Sequence, residues 1–206
     1  MPYFKAITYL KKDKILSKII NNSKEIKPSL EFDLYRYLIE SIVSQQLSVK
    51  VADIIFNRVL DLFPDRYPES KQLIAMDIEI LRNAGLSYRK VDYLKNVAEF
   101  SLKNTFDYET LQKKTDEELI AYFTQIKGVG KWTVQMLLMF PMDRADVFPV
   151  DDLGIQTNMK KLYVLISDKK IPNSLTKKEL KFALEKIAAN WKPYRTLASK
   201  LIWNAD

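Results

Sequence analysis

Residues 126–156 read IKGVGKWTVQMLLMFPMDRADVFPVDDLGIQ, and the reading of this stretch decides the fold. Gly128 and Gly130 flank a single apolar residue, and the run from Lys131 to Phe140 holds neither Gly nor Pro. The pattern predicts a helix end, a tight Gly-Val-Gly turn, a short second helix, and a loop that delivers Asp151 and Asp152. Glycine admits backbone angles that other residues resist and lets a second backbone come close. The first N–H groups of a helix starting at Lys131 lack intrahelical acceptors and point back over the turn. Such a helix start attracts anions, and Lys127 and Lys131 add positive charge beside it. Taken alone, the same residues also describe a plain helical hairpin turning on two glycines.

Upstream, Thr115-Asp-Glu-Glu118 is a capping box that opens a helix to Ile126, feeding the turn. Downstream, 151–166 reads as mostly helical. Thr176-Lys-Lys-Glu179 is a second capping box, starting an amphipathic helix to Asn190, and a last helix ends near Trp203. Toward the N-terminus, a helix over 87–103 carries Val91, Leu94, Val97 and Ala98 on one face. Two short helices, 69–75 and 77–84, end at Gly85, placed as a C-terminal cap, and follow a Pro-bounded loop at 64–68. Helices over 30–44 and 48–63 flank the polar stretch Ser44-Gln45-Gln46-Leu47-Ser48, with Ser48 an N-cap candidate. Residues 21–29 form a connector, and 3–22 pack as one or two helices. Nothing alternates at strand spacing and no hairpin dipeptide occurs, so the fold class is all-α.

Of 206 residues, 33 are Lys or Arg and 26 are Asp or Glu, a net charge of +7. That balance favours a polyanionic partner. No apolar run approaches a membrane span and the start lacks a secretory core, so an intracellular protein is expected. The chain has neither His nor Cys. A Ser-His-Asp triad, a His-ligated metal, a zinc site, a disulfide and an iron–sulfur cluster are therefore excluded. Acid–base or electrostatic catalysis falls to carboxylates, Lys or Tyr, and no cofactor is expected.

The hairpin followed by PVDDLG (149–154), with IVSQQLSV (42–49), AGLSYRKVDYL (84–94) and WKPYRT (191–196), resembles the helix-hairpin-helix (HhH-GPD) DNA glycosylases. Within them it looks most like the alkylated-base, 3-methyladenine DNA glycosylase II type. The resemblance covers residues 30–203 and implies two helical lobes, 32–142 and 1–31 plus 143–206, with an active-site cleft between them. It implies a monomer that acts on double-stranded DNA, flips out an alkylated purine and hydrolyses its bond to the sugar. It makes Asp152 the catalytic carboxylate, as the second acidic position of the loop; relatives of the 8-oxoguanine type would select Asp151. Lys127, Gly128, Val129, Gly130, Lys131 and Thr133 would grip DNA phosphate. In the superfamily a monovalent cation often accompanies this hairpin, here at the backbone of 126–130, with no catalytic metal.

The stretch Gln45, Gln46, Leu47 and Ser48 would enter the minor groove, Gln46 filling the hole left by the flipped nucleotide, with Leu47 as the alternative. Ser87, Arg89 and Lys90 would touch phosphate. Trp132 stands where bifunctional relatives carry a Schiff-base lysine, so water is the expected nucleophile. Trp132, Trp191, Met136 and Tyr194 would wall the base pocket, and Arg195 would pair an acidic residue across the lobe junction. Two other readings stay open at this point: a non-catalytic helix-hairpin-helix DNA-binding module, and a glycosylase for uracil or mismatched bases.

Overall fold

A computed structural model describes residues 4–22, 33–164 and 175–205, and every regular element among them is helical. The chain forms two compact units, Leu30–Leu137, and Met1–Ser29 with Leu138–Asp206.

The unit Leu30–Leu137 starts with α3 (Leu34–Ser44) and α4 (Val49–Leu60), preceded in the chain by α1 (Phe4–Leu10) and α2 (Lys14–Asn22) of the other unit. Asp33 caps α3, its side chain accepting from Arg36 N, and Leu34, Leu38, Ile39, Ile42 and Val43 are buried at helical spacing. Each such aliphatic side chain contributes about 1.5–3 kcal/mol of burial. Then follow α5 (Ser70–Ala75), α6 (Ile78–Asn83) and α7 (Tyr88–Lys103). Gly85 closes α6 with φ +112°, its N–H donating to Arg82 O. The expected face of Val91, Leu94, Val97 and Ala98 on α7 is buried, and α7 packs on α3, α5 and α6. After α8 (Tyr108–Leu111), α9 (Asp116–Phe123) opens on the Thr115–Glu118 capping box, and α10 (Lys131–Met139) follows the glycine turn. The sequence carried α9 on to Ile126, but the helix ends at Phe123 and 124–130 form turns. Neither α8 nor a 3-10 turn at Pro64–Arg66 was expected.

In the other unit, α1 (Phe4–Leu10) and α2 (Lys14–Asn22) join at Asp13, whose Oδ1 accepts from the N–H groups of Ile15 and Leu16. α11 (Leu153–Val164), α12 (Lys177–Ala188) and α13 (Arg195–Trp203) complete it. A shared core of Leu10, Leu16, Ile155, Met159, Leu184, Leu201 and Ile202 lies among them. α12 opens on the Thr176–Glu179 capping box and gives way to a 3-10 turn at Ala189–Trp191. Most of the connector at 21–29, the start of the helix expected from residue 30, and the last two residues of the helix expected to 166 lie outside the described residues.

Candidate functional site

The two glycines of the turn have different reasons to be glycine. Gly128 has φ +106°, and a Cβ there would lie 2.2 Å from the ring of Tyr93. The protein's own packing demands it. At Gly130 a Cβ would meet nothing within 4 Å, so the turn is bare there and open to solvent. Val129 N donates to Ile126 O, and Val134 N to Gly130 O as α10 begins. The N-terminus of α10 therefore lies beside an open glycine, with Lys127 and Lys131 exposed next to it. Asn96 donates to Lys127 O at 3.1 Å, pinning the turn. The carbonyls of 126–130 are neutral hard donors of the type a monovalent cation takes. Four of them, at Ile126, Lys127, Gly128 and Gly130, already accept protein hydrogen bonds.

The Ser44–Ser48 stretch is a turn with Gln46 at φ +60°, a left-handed angle uncommon outside glycine. Gln46, Leu47 and Ser48 are exposed, as is Val49 at the start of α4. Ser48 takes the N-cap position but its hydroxyl makes no capping bond. Gln45 turns inward, its amide donating to Gly128 O and Thr133 Oγ1, both at 3.4 Å. Thr133 is buried, which accounts for its place in the hairpin by packing against this turn. Lys90 also reaches the turn, its ammonium donating to Val43 O and Gln45 O, and partial burial pulls its pKa below the usual lysine value. Ser87 caps α7 by accepting from Lys90 N, while Arg89 is exposed.

In the other unit, Asp151 and Asp152 are neighbours in opposite surroundings. Asp151 is exposed and paired with Lys181 on α12. Asp152 is 6% exposed and caps α11, its Oδ1 accepting from Ile155 N at 2.8 Å. Gly154 makes room for this arrangement: a Cβ there would lie 2.6 Å from Trp203 Nε1 and 3.1 Å from Asp152 Oδ1. Gln156 donates to Val150 O, closing the loop from inside.

The aromatic residues fall in different environments. Trp132 is half-buried. Met136, expected as a pocket wall, is buried in α10 at 4% exposure. Trp191 is 1% exposed, edge-on to Phe148 and tilted against Tyr163, with its indole N–H donating to Asp13 Oδ2. It is a core residue of its unit, and a cavity of about 260 Å³ lined also by Tyr9, Lys12 and Asn190 adjoins it. Tyr194 packs edge-to-face on Tyr9 and lines a separate cavity with Arg144 and Thr196. The Arg195 guanidinium grips the Asp146 carboxylate with two bonds, Nε to Oδ1 at 2.7 Å and a terminal nitrogen to Oδ2 at 2.9 Å, and also donates to Asp146 O at 3.0 Å. The expected acidic partner exists, but within the same unit rather than across a junction.

Several supporting residues escape sequence reasoning: Tyr93 under Gly128, Asn96 on the hairpin, Asp13 on Trp191, and Trp203 against Gly154. Only Tyr93 carried a signal, as the Tyr that follows the basic pair in AGLSYRKVDYL.

Comparison with known proteins follows the same lines. The family described as "HhH-GPD superfamily base excision DNA repair protein" matches residues 39–189. The chain is similar to DNA-3-methyladenine glycosylase 1 of Schizosaccharomyces pombe, 36% identical over 94% of this chain and 81% of that one. It is also similar to DNA-3-methyladenine glycosylase of Saccharomyces cerevisiae, 30% identical over 94% and 76% of the two chains. The solved structure of the S. pombe 3-methyladenine DNA glycosylase in complex with abasic DNA aligns with a TM-score of 0.84 at 34% identity, covering 97% of this chain and 95% of that one.

Proposed function

This chain belongs to the HhH-GPD superfamily of base excision DNA repair proteins, and from that premise we propose that it is a monofunctional DNA glycosylase for alkylated purines. It acts as a monomer on double-stranded DNA, evicts the damaged nucleotide and hydrolyses the base–sugar bond. Its expected substrates are 3-methyladenine and 7-methylguanine. The relatives above are named for 3-methyladenine, and base removal leaves the abasic DNA that one of them holds.

The observation that carries the reading is the contrast between Asp151 and Asp152. Breaking a purine–sugar bond builds positive charge on the sugar, and a carboxylate held in one orientation stabilises that charge without reorganising. Asp152 is held by the start of α11 and by the seat that Gly154 leaves. Asp151 is spent on a surface pair with Lys181. A DNA-binding module needs no such buried carboxylate. Water is the nucleophile in this scheme, because Trp132 occupies the position where a lyase would need an amine. The start of α10 beside Gly130 takes a phosphate, Lys127 and Lys131 add charge, and Gln46 fills the vacated stack.

The carboxylate assignment predicts that Asp152→Asn loses base release by at least about a hundredfold, a typical cost for removing a principal electrostatic stabiliser. Binding to abasic-site DNA should persist in that variant. Asp151→Asn should stay within about threefold of wild type, since exposed pairs contribute little. Single-turnover release from methylated duplex DNA measures both, and a reversed order of the two variants defeats the assignment.

A further inference from the structure

Lys90 Nζ donates to Val43 O at 2.6 Å and to Gln45 O at 2.8 Å. Val43 lies in the last turn of α3, where carbonyls lack intrahelical donors and an ammonium meets the negative end of the helix dipole. Gln45 O belongs to the peptide plane that joins Gln45 to Gln46. The orientation of that plane is what φ of Gln46 describes, and φ there is +60°. A non-glycine residue keeps such an angle only where its surroundings enforce it. Lys90 thus grips the one carbonyl whose rotation would release the left-handed angle. On the opposite side of the turn, the Gln45 amide reaches Gly128 O and Thr133 Oγ1. Ser87, Tyr88 and Arg89, beside Lys90 in sequence, are exposed, whereas Lys90 is not.

Resting on the glycosylase reading, we infer that Lys90 is a positioning residue for base eviction: its two bonds hold the Ser44–Ser48 turn in the shape that presents Gln46, and its ammonium is engaged by protein rather than by DNA phosphate. The effect passes through backbone carbonyls, so charge alone does not supply it.

The test is a double-mutant cycle of Lys90→Met with Gln46→Ala, read by salt-dependent binding to abasic-site duplex and by single-turnover base release from methylated duplex. Lys90→Met should leave the slope of log affinity against log salt unchanged, because no counterion-releasing contact is lost. Its base release should fall about tenfold or more, the scale of effect that small misplacements produce. That loss should nearly vanish in the Gln46→Ala background, since both changes disable one device. A slope reduced by about 0.9 would show a phosphate contact and overturn the inference. Losses that simply add to those of Gln46→Ala would show a general structural role and overturn it too. Should Lys90→Met fail to fold, Lys90→Arg replaces it in the cycle. Arg serves a phosphate at least as well but presents a planar fork to the two carbonyls, so full activity in that variant contradicts positioning. Wild-type protein that binds DNA yet releases no base counts against the glycosylase reading instead. The salt slope, with 2-aminopurine fluorescence of unstacking, then still decides for Lys90.

Discussion

Trp132 and Trp191 share a side chain but not a situation. Trp132 is half-buried, whereas Trp191 is 1% exposed and donates to Asp13, which also accepts from Tyr163 OH and from two backbone N–H groups of α2. Removing Trp191 therefore opens a core cavity and takes one donor from a carboxylate with four. Trp191→Ala should cost about 3–5 kcal/mol of stability, measurable by urea denaturation. Trp132→Ala should cost distinctly less stability. Its larger effect should be on the rate of release of cationic bases, where an aromatic face supplies about 0.5–2 kcal/mol of cation–π attraction. The sequence could name both tryptophans, because each sits in a recognisable string. It could not tell a ring in the core from one at a surface, since Asp13 and Tyr163 come from distant segments.

Among the elements, the glycine hairpin makes the sharpest separation between what folding needs and what a ligand needs. Gly128→Ala would force a methyl into the Tyr93 ring at a positive φ, so it should destabilise the protein by more than about 1 kcal/mol. Gly130→Ala meets open space and should leave stability within about 0.5 kcal/mol of wild type. It should nonetheless weaken binding to every DNA sequence alike, because the methyl stands where a phosphate would approach the α10 N–H groups. Thermal melts and filter binding on two unrelated duplexes check the pair. Both capping boxes and the buried face of α7 were legible in advance, since a cap and a helical stripe are local signals. α8 was not, because four residues capped by Asp107 are too short to show a period. The struts Lys90, Asn96 and Gln45 were illegible as struts for another reason: their acceptors lie far away in sequence.

For the molecule as a whole, buried tyrosines set an alkaline limit. Burial pushes Tyr35 in the unit Leu30–Leu137 up to about 12 from an ordinary 10.0. In the other unit, burial with the charge of Asp13 behind it raises Tyr163. The folded state holds these protons after the unfolded chain has lost them, so the contribution of Tyr35 is complete below pH 10 and is lost as pH rises through 12. Tyr35→Phe should therefore flatten the fall in stability across that range by on the order of 2–3 kcal/mol, read from denaturation midpoints in buffers spanning it. The all-α class followed from the sequence because no stretch alternates at strand spacing, and the excess of positive charge, +7, pointed to a polyanion. Neither reveals which base is removed. The most direct test is to incubate the protein with duplexes carrying 3-methyladenine, 7-methylguanine, uracil or 8-oxoguanine, and to identify the free bases while probing for a borohydride-trapped adduct. The expected result is release of the two methylated purines, slower or no release of the neutral lesions, and no trapped adduct. Protein inert on methylated DNA but active on uracil or oxidised guanine, or a covalent adduct with DNA, would contradict it.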